Sequence, residues 1–160
     1  WIKRNGKKIG KGLSVIKTGK ETHQQMQKAY LRGKRKPLPV TTTNTKVLEN
    51  CKMCAFKPMF SHPVWKRSWP KMQIMNKNSI AYRMALVSSG IFDTMMALNR
   101  KSDWDVAAGD LLITEAGGKV TDHKGNQLIY NLKDTSKKSI IGSCMGLHDK
   151  IIKRVKDLDL

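Results

Sequence analysis

The sequence predicts an α/β fold, and three observations carry that prediction. In the second half, apolar runs of strand length, "IFDTMMAL" and "SIIGSC", alternate with longer stretches of helical spacing. Those stretches carry start and stop signals: "NSIAYRMALVSSG" opens on Asn78 or Ser79 as N-cap and stops at Gly90, and a helix over residues 105–116 stops at Gly117-Gly118. Finally, "LHDKIIKRVKDL" repeats Leu147, Ile151, Val155 and Leu158 at helical spacing, an amphipathic closing helix.

Taken in chain order, residues 1–40 read as short strands separated by turns. "NGKKIGKGLSVI" pairs a turn signal with an apolar run, and "AYLRGKRKPLPV" sets a central Gly between strand-like pieces. The polar "TTTNT" then gives way to a strand-like run from Val47 to Phe56. "KPMFSHPVWKRSWPK" is broken by Pro58, Pro63 and Pro70 and reads as a loop, with Trp65 and Trp69 on a surface groove. "KVTDHKGNQLIY" reads as a hairpin turning at His123 to Asn126, and "SIIGSC" as a buried strand. No internal repeat is visible.

Composition narrows the function classes. A chain of 160 residues can bury one real core, and no run of eighteen apolar residues predicts a membrane span. The start, "WIKRNGKKIG", has neither Met nor an apolar leader core and reads as mid-strand, which suggests a fragment. The net charge of +19 is unevenly spread: residues 1–77 hold 19 Lys and Arg against Glu21 and Glu49, whereas residues 78–160 hold 12 against 10 acids. A basic half of this kind suits nucleic acid or an acidic membrane surface. Few aromatics and no recognition motif weigh against nucleic acid as the main partner, so a basic binding module stands as the rival class.

Three cysteines form no framework of pairs and point to a reducing cytoplasm. "CKMC" (Cys51, Cys54) with Cys144 and His148 invites a zinc reading. Residues i and i+3 of a strand face opposite sides, however, and a lone Cys with a lone His is not a second tight pair. Buried structural thiols are the better expectation.

The most specific stretch is "SDWDVAAGDLLITEAGG", residues 102–118. Asp105 sits where a helix begins, and unpaired N–H groups and the positive end of the dipole favour a carboxylate there. Asp105 or Asp103 could simply cap that helix, the commonest use of Asp at such a place. Ala107, Ala108 and Gly109 would let the first turn approach a backbone or a phosphate closely. Trp104 reads as core or pocket wall, and Glu115 as a residue that holds the helix end.

"WDVAAGDLLITEAGGKVTD" closely resembles the second signature of the inositol monophosphatase superfamily, phosphatases of sugar, inositol and nucleotide phosphates. "NSIAYRMALVSSGIFD" resembles the helix and strand before that signature, "AYLRGKRKPLPVTTT" a family hairpin, and "SIIGSCMGLHDKII" the closing strand and helix. The resemblance implies the layered sheet-and-helix fold of these sugar phosphatases. Residues 1–45 would be remnant strands of an N-terminal α+β domain, and residues 46–160 the C-terminal α/β domain. It also implies that Asp105 ligates a catalytic Mg²⁺, which polarises phosphate, activates a bound water and stabilises the leaving oxygen. The family's other ligands, a Glu and an "Asp-Pro-Ile-Asp-Gly-Thr" motif, are absent here. The chain is therefore expected to need the missing N-terminal half of the same protein, and to show little activity alone.

Within the family, inositol phosphatases commonly carry a Glu shortly before Trp-Asp; Ala97-Leu98-Asn99 offers none. The Asp93 to Asp105 spacing and "KSDWD" resemble the 3'(2'),5'-bisphosphate nucleotidase branch, which acts on 3'-phosphoadenosine 5'-phosphate in sulfate assimilation. One departure is Tyr82, where that branch often has Lys, although Arg83 is adjacent. The resemblance implies Ser79, Arg83 and Asn78 as contacts to a small phosphorylated substrate. Ser79 can equally be a plain N-cap. A homodimer is expected, as the family is often dimeric.

Overall fold

The computed structural model describes residues 40–160 throughout and, ahead of them, only the backbone of short strands. Most of the strand expectation for residues 1–40 therefore lies outside the described residues. The parts that are described are β1 (Lys3–Arg4) paired antiparallel with β2 (Lys7–Lys8), and an antiparallel sheet of β3 (Leu13–Ser14), β4 (Ala29–Leu31) and β5 (Leu38–Val40).

The rest of the chain builds one five-stranded sheet with helices on both faces. Its strands are β6 (Lys52–Cys54), β7 (Gln73–Met75), β8 (Thr94–Ala97), β10 (Gly118–Thr121) and β12 (Ile140–Cys144), in the order β10-β12-β8-β6-β7. β6 runs parallel to both β7 and β8, and β12 runs antiparallel to both β8 and β10. A small ribbon of β9 (Lys101–Ser102) and β11 (Ser136–Lys137) lies apart from that sheet. The helices are α1 (Ile80–Ser88), α2 (Asp103–Glu115) and α3 (Met145–Val155).

Alternation along the strands decides which helix each side chain meets. Cys54 and Met95 join Met84 and Val87 of α1 and Val106 and Ile113 of α2 in one core cluster. Met53 and Met96, one position away, join Leu147, Ile151 and Val155 of α3 in the other. All of these are fully buried, and each contributes roughly 1.5–3 kcal/mol of transfer free energy. This is the layered α/β arrangement that the sequence predicts. The same alternation disposes of the zinc reading. Cys51 and Cys54 belong to opposite faces of the sheet, so they cannot share one metal. All three thiols are buried and free, and burial pushes the Cys51 thiol up to about 12.

Several elements differ from their sequence boundaries for local reasons. The run from Val47 to Phe56 yields only a three-residue strand, because Asn50 takes a left-handed φ of 58° in a turn just before it. The turn after β10 forms, with Asp122 N–H donating to the Asn126 carbonyl at 2.9 Å, but no returning strand follows. β10 pairs with β12 instead, and Leu128 drops into the core. Trp65 and Trp69 stack edge-to-face with centroids 5.3 Å apart and pack on the α3-side core. Trp65 also lines a groove with Phe56, Val64 and Leu158, whereas Trp69 lies under the Arg154 guanidinium at 5.1 Å. No helix among the described residues is long and apolar enough to cross a membrane.

Candidate metal and substrate site

Because β6, β7 and β8 are mutually parallel, their C-terminal ends meet at one edge of the sheet, where open α/β sheets bind ligands. Both α1 and α2 begin just beyond these ends, so two sets of unpaired helix N–H groups belong to the same edge. A cavity of about 430 Å³ opens there, lined by Phe56, Asn76, Arg83, Leu98, Asn99 and Lys101 among others.

Ser79, not Asn78, is the N-cap of α1. Its Oγ accepts the Tyr82 N–H at 3.4 Å, and its φ of 64° swings the chain from β7 into the helix. Both Asn78 and Ser79 are exposed. Arg83 fastens the same link: Nε donates to the Lys77 carbonyl at 2.6 Å and Nη2 to Asn76 Oδ1 at 2.9 Å. The guanidinium thus fixes one wall of the cavity that it lines.

Asp105 is the third residue of α2 and is exposed. The capping expectation fails for both aspartates, since the N-cap is Ser102 and the helix begins at Asp103. Asp103 is buried and does different work. It forms an ion pair with the Lys137 ammonium, accepts the Asn131 N–H at 2.9 Å, and donates its own N–H to the Thr135 carbonyl at 2.8 Å. The Lys137 hydrogen bond holds the Asp103 carboxyl below the usual carboxylate range. These contacts bind the 131–137 segment to the start of α2. Asp105 itself makes no hydrogen bond or ion pair among the described residues.

Of the small residues of α2, Gly109 serves close approach to another helix. A Cβ on Gly109 would lie 2.6 Å from Met84 Sδ and 2.7 Å from Met84 Cβ, so the glycine is what lets α1 and α2 close together. Gly117, with φ of 82°, ends the helix as the sequence indicates. Trp104 is 74% exposed and is neither core nor cavity wall. Glu115 makes no side-chain hydrogen bond among the described residues.

Sequence reasoning used Asp93 only as a spacing marker, yet it is the hub of this half of the sheet. Its Oδ1 accepts from the Thr43 and Thr45 hydroxyls, each at 2.6 Å, and its Oδ2 from the Lys52 N–H at 2.7 Å. Its backbone joins β6 to β12 through Lys52 and Cys144. The polar "TTTNT" was the available signal, since threonines in series need acceptors. His148, set aside as a zinc ligand from the sequence, has a structural place. It is buried between Thr121 Oγ1 and Ser143 Oγ, each 2.9 Å from a ring nitrogen.

A divalent cation fits Asp105 as one exposed oxygen ligand of the hard kind Mg²⁺ prefers. Among the described residues no group of three His, Cys, Asp or Glu side chains could complete a metal site.

The profile of the Inositol monophosphatase family matches residues 8–160. The inositol-1-monophosphatase of Caulobacter vibrioides is 39% identical over 75 residues, covering 46% of this chain and 27% of that protein. The 3'(2'),5'-bisphosphate nucleotidase of Emericella nidulans is 35% identical over 77 residues, covering 44% and 22%. Among solved structures, the Thermotoga maritima IMPase superposes with a TM-score of 0.62 at 28% identity, over 81% of this chain and 48% of that one. The chain therefore spans about half the length of that structure, and less of the curated relatives. With the signature around Asp105 placed on the matching fold, the chain belongs to the inositol monophosphatase family.

Proposed function

We propose that this chain carries the Asp105 part of a Mg²⁺-dependent phosphomonoesterase site, the remaining carboxylates coming from an upstream half of the same protein. One observation carries the reading. Asp105 is an exposed carboxylate, unpaired among the described residues, in the first turn of α2, at the edge where three parallel strands end and α1 also begins. In this reading residues 1–45 are strands of the preceding domain and residues 46–160 the domain that holds Asp105. The metal, when bound, supplies Lewis-acid polarisation of the phosphate. The chain's own residues position: Ser79 and the backbone of both helix starts offer donors to phosphate oxygens, and Arg83 stiffens the wall beside them.

The preferred substrate is a bisphosphorylated nucleoside such as 3'-phosphoadenosine 5'-phosphate, ahead of inositol 1-phosphate. None of the described residues that line the cavity is an acid that would grip polyol hydroxyls. It offers instead the cations Arg83 and Lys101 for a second phosphate and the exposed Phe56 ring for a base.

The test is phosphate release from both compounds, with and without Mg²⁺, by this chain and by a longer protein that adds the upstream carboxylates. The chain alone should be inactive and the longer protein active, with Asp105→Asn abolishing turnover while leaving the circular dichroism spectrum unchanged. Magnesium-dependent hydrolysis by the 160-residue chain would show that the metal is held elsewhere. Faster turnover of inositol 1-phosphate would overturn the substrate assignment.

A further inference from the structure

We propose that the segment 130–137 is a clamp that sets the direction of Asp105, with Lys137 and Tyr130 as its positioning residues. The inference rests on the reading of Asp105 as a metal ligand and names what aims it.

The first observation is a helix start without the usual cap. Ser102 is the N-cap of α2, yet its side chain accepts no hydrogen bond from the first turn. The first N–H groups of a helix have no partner within it, so an uncapped first turn frays and its side chains lose their direction. A segment distant in sequence holds α2 instead. Asp103 N–H donates to the Thr135 carbonyl at 2.8 Å, and the Asp103 carboxylate accepts the Asn131 N–H at 2.9 Å and pairs with the Lys137 ammonium. The Lys137 and Asp103 side chains are only 10% and 9% exposed. Pairing of β11 with β9, Ser136 opposite Ser102 and Lys137 opposite Lys101, ties down the residues just before the helix.

The second observation is that the same segment grips α2 again, two turns on. Tyr130 Oη donates to Asp110 Oδ2 at 2.6 Å, and the Lys137 ammonium lies 5.4 Å from the Tyr130 ring centroid. At about 100° per residue, Asp103 and Asp110 fall within about 20° of one another, so both grips take one face of α2. Two grips on one face fix the rotation of the helix about its axis.

Asp105 is exposed and lies about 200° round the helix from Asp103 and about 140° from Asp110, on the side away from the clamp. A slip of about 20° moves a group at the helix surface, about 5–6 Å from the axis, by about 2 Å. That is a whole Mg²⁺–oxygen distance, about 2.0–2.1 Å. Rotation of α2 therefore decides whether Asp105 reaches a cation held by other ligands.

The experiment has two arms, run on the native protein, on Lys137→Arg, on Tyr130→Phe, and on the double variant Asp103→Asn with Lys137→Met. The double variant removes the ion pair without stranding a buried carboxylate, the change that most endangers folding. In this chain, residual dipolar couplings report the directions of backbone N–H bonds. Those of residues 103–107 should shrink by at least a third in the double variant, while those of residues 140–155 hold. In the longer protein with the upstream carboxylates, Mn²⁺ affinity is read by electron paramagnetic resonance at a temperature where urea melts show each variant folded. It should fall at least fivefold in the double variant, two- to fivefold in Tyr130→Phe, and less than twofold in Lys137→Arg. A segment with only a structural role would lower the urea midpoint and leave the couplings and the Mn²⁺ affinity unchanged. That result overturns the proposal, as does Lys137→Arg behaving like the double variant. Asp105→Asn in the longer protein separates the two claims. If it leaves Mn²⁺ affinity unchanged, the ligand reading fails; if it weakens Mn²⁺ binding while the double variant does not, the clamp fails and the ligand reading stands.

Discussion

Replacing Asp93 with Ala should cost about 3–5 kcal/mol of folding free energy, although the residue lies in neither helix nor strand. The carboxylate accepts three short hydrogen bonds and is only 6% exposed. Bonds to a charged group contribute about 1.5–3 kcal/mol each, and truncation also strands the Lys52 N–H inside the sheet. The threonine hydroxyls are half-buried and recover part of their loss from water, which holds the total below the simple sum. Thr43→Val with Thr45→Val should cost about 2–3 kcal/mol in the native background and almost nothing once Asp93 is Ala, because the three residues form one unit. Urea denaturation at pH 7, followed by circular dichroism, measures all four corners of that cycle. The acid limb gives an independent check. Burial alone would raise the Asp93 carboxyl, but its hydrogen bonds from Thr43, Thr45 and Lys52 outweigh that and lower it below 3.8. Its stabilisation is therefore complete above about pH 4 and is lost as pH falls through the folded value. An Asp93→Ala variant within 1 kcal/mol of the native chain, or threonine effects that simply add to it, would refute this account.

Burial holds the His148 ring well below its ordinary 6.5, to about 4. Stability should be full above about pH 6.5 and decline by about 3 kcal/mol as pH falls toward 4, since only the unfolded chain takes up the proton. Urea midpoints at pH 7.5, 5.5 and 4.5 should show the slope, and a flat series would contradict it. Gly109→Ala gains about 1 kcal/mol of helix propensity but drives a Cβ into Met84, at a cost of about 1–3 kcal/mol. A lower melting temperature is expected, and the same substitution should cost less in a background that already carries Met84→Ala, because the two side chains share one space. Trp104→Ala should change stability by less than about 0.5 kcal/mol in thermal melts, because the ring is 74% exposed.

The helices were legible because their signals are local. Gly90 and Gly117 stop α1 and α2, and Leu147, Ile151 and Val155 repeat on one face of α3. Strand extents were less so, since three apolar residues such as Met53, Cys54 and Ala55 read alike in a strand and in a turn that enters the core. β7 escaped notice because "QIM" draws its register from β6, 21 residues earlier. A long signature singles out Asp105 as a candidate, whereas the Asp103–Lys137 pair beside it spans 34 positions, and no local pattern encodes such a partner. Asp93 was hidden for the same reason, its hydroxyl donors lying 48 and 50 residues upstream.

The strand made last, β12, is inserted between β8 and β10 rather than added at an edge. A growing chain that has not yet released Ile140–Cys144 leaves β10 with no partner and one side of β8 unpaired. Met53 and Met96 also stay bare until α3, which follows β12 directly, arrives to cover them. Sheet closure therefore waits for residues 140–155, and nascent chains shorter than this expose methionine-rich surface and two open strand edges. Truncation upstream of Val155 should send the protein to chaperones and proteases rather than yield a smaller folded domain.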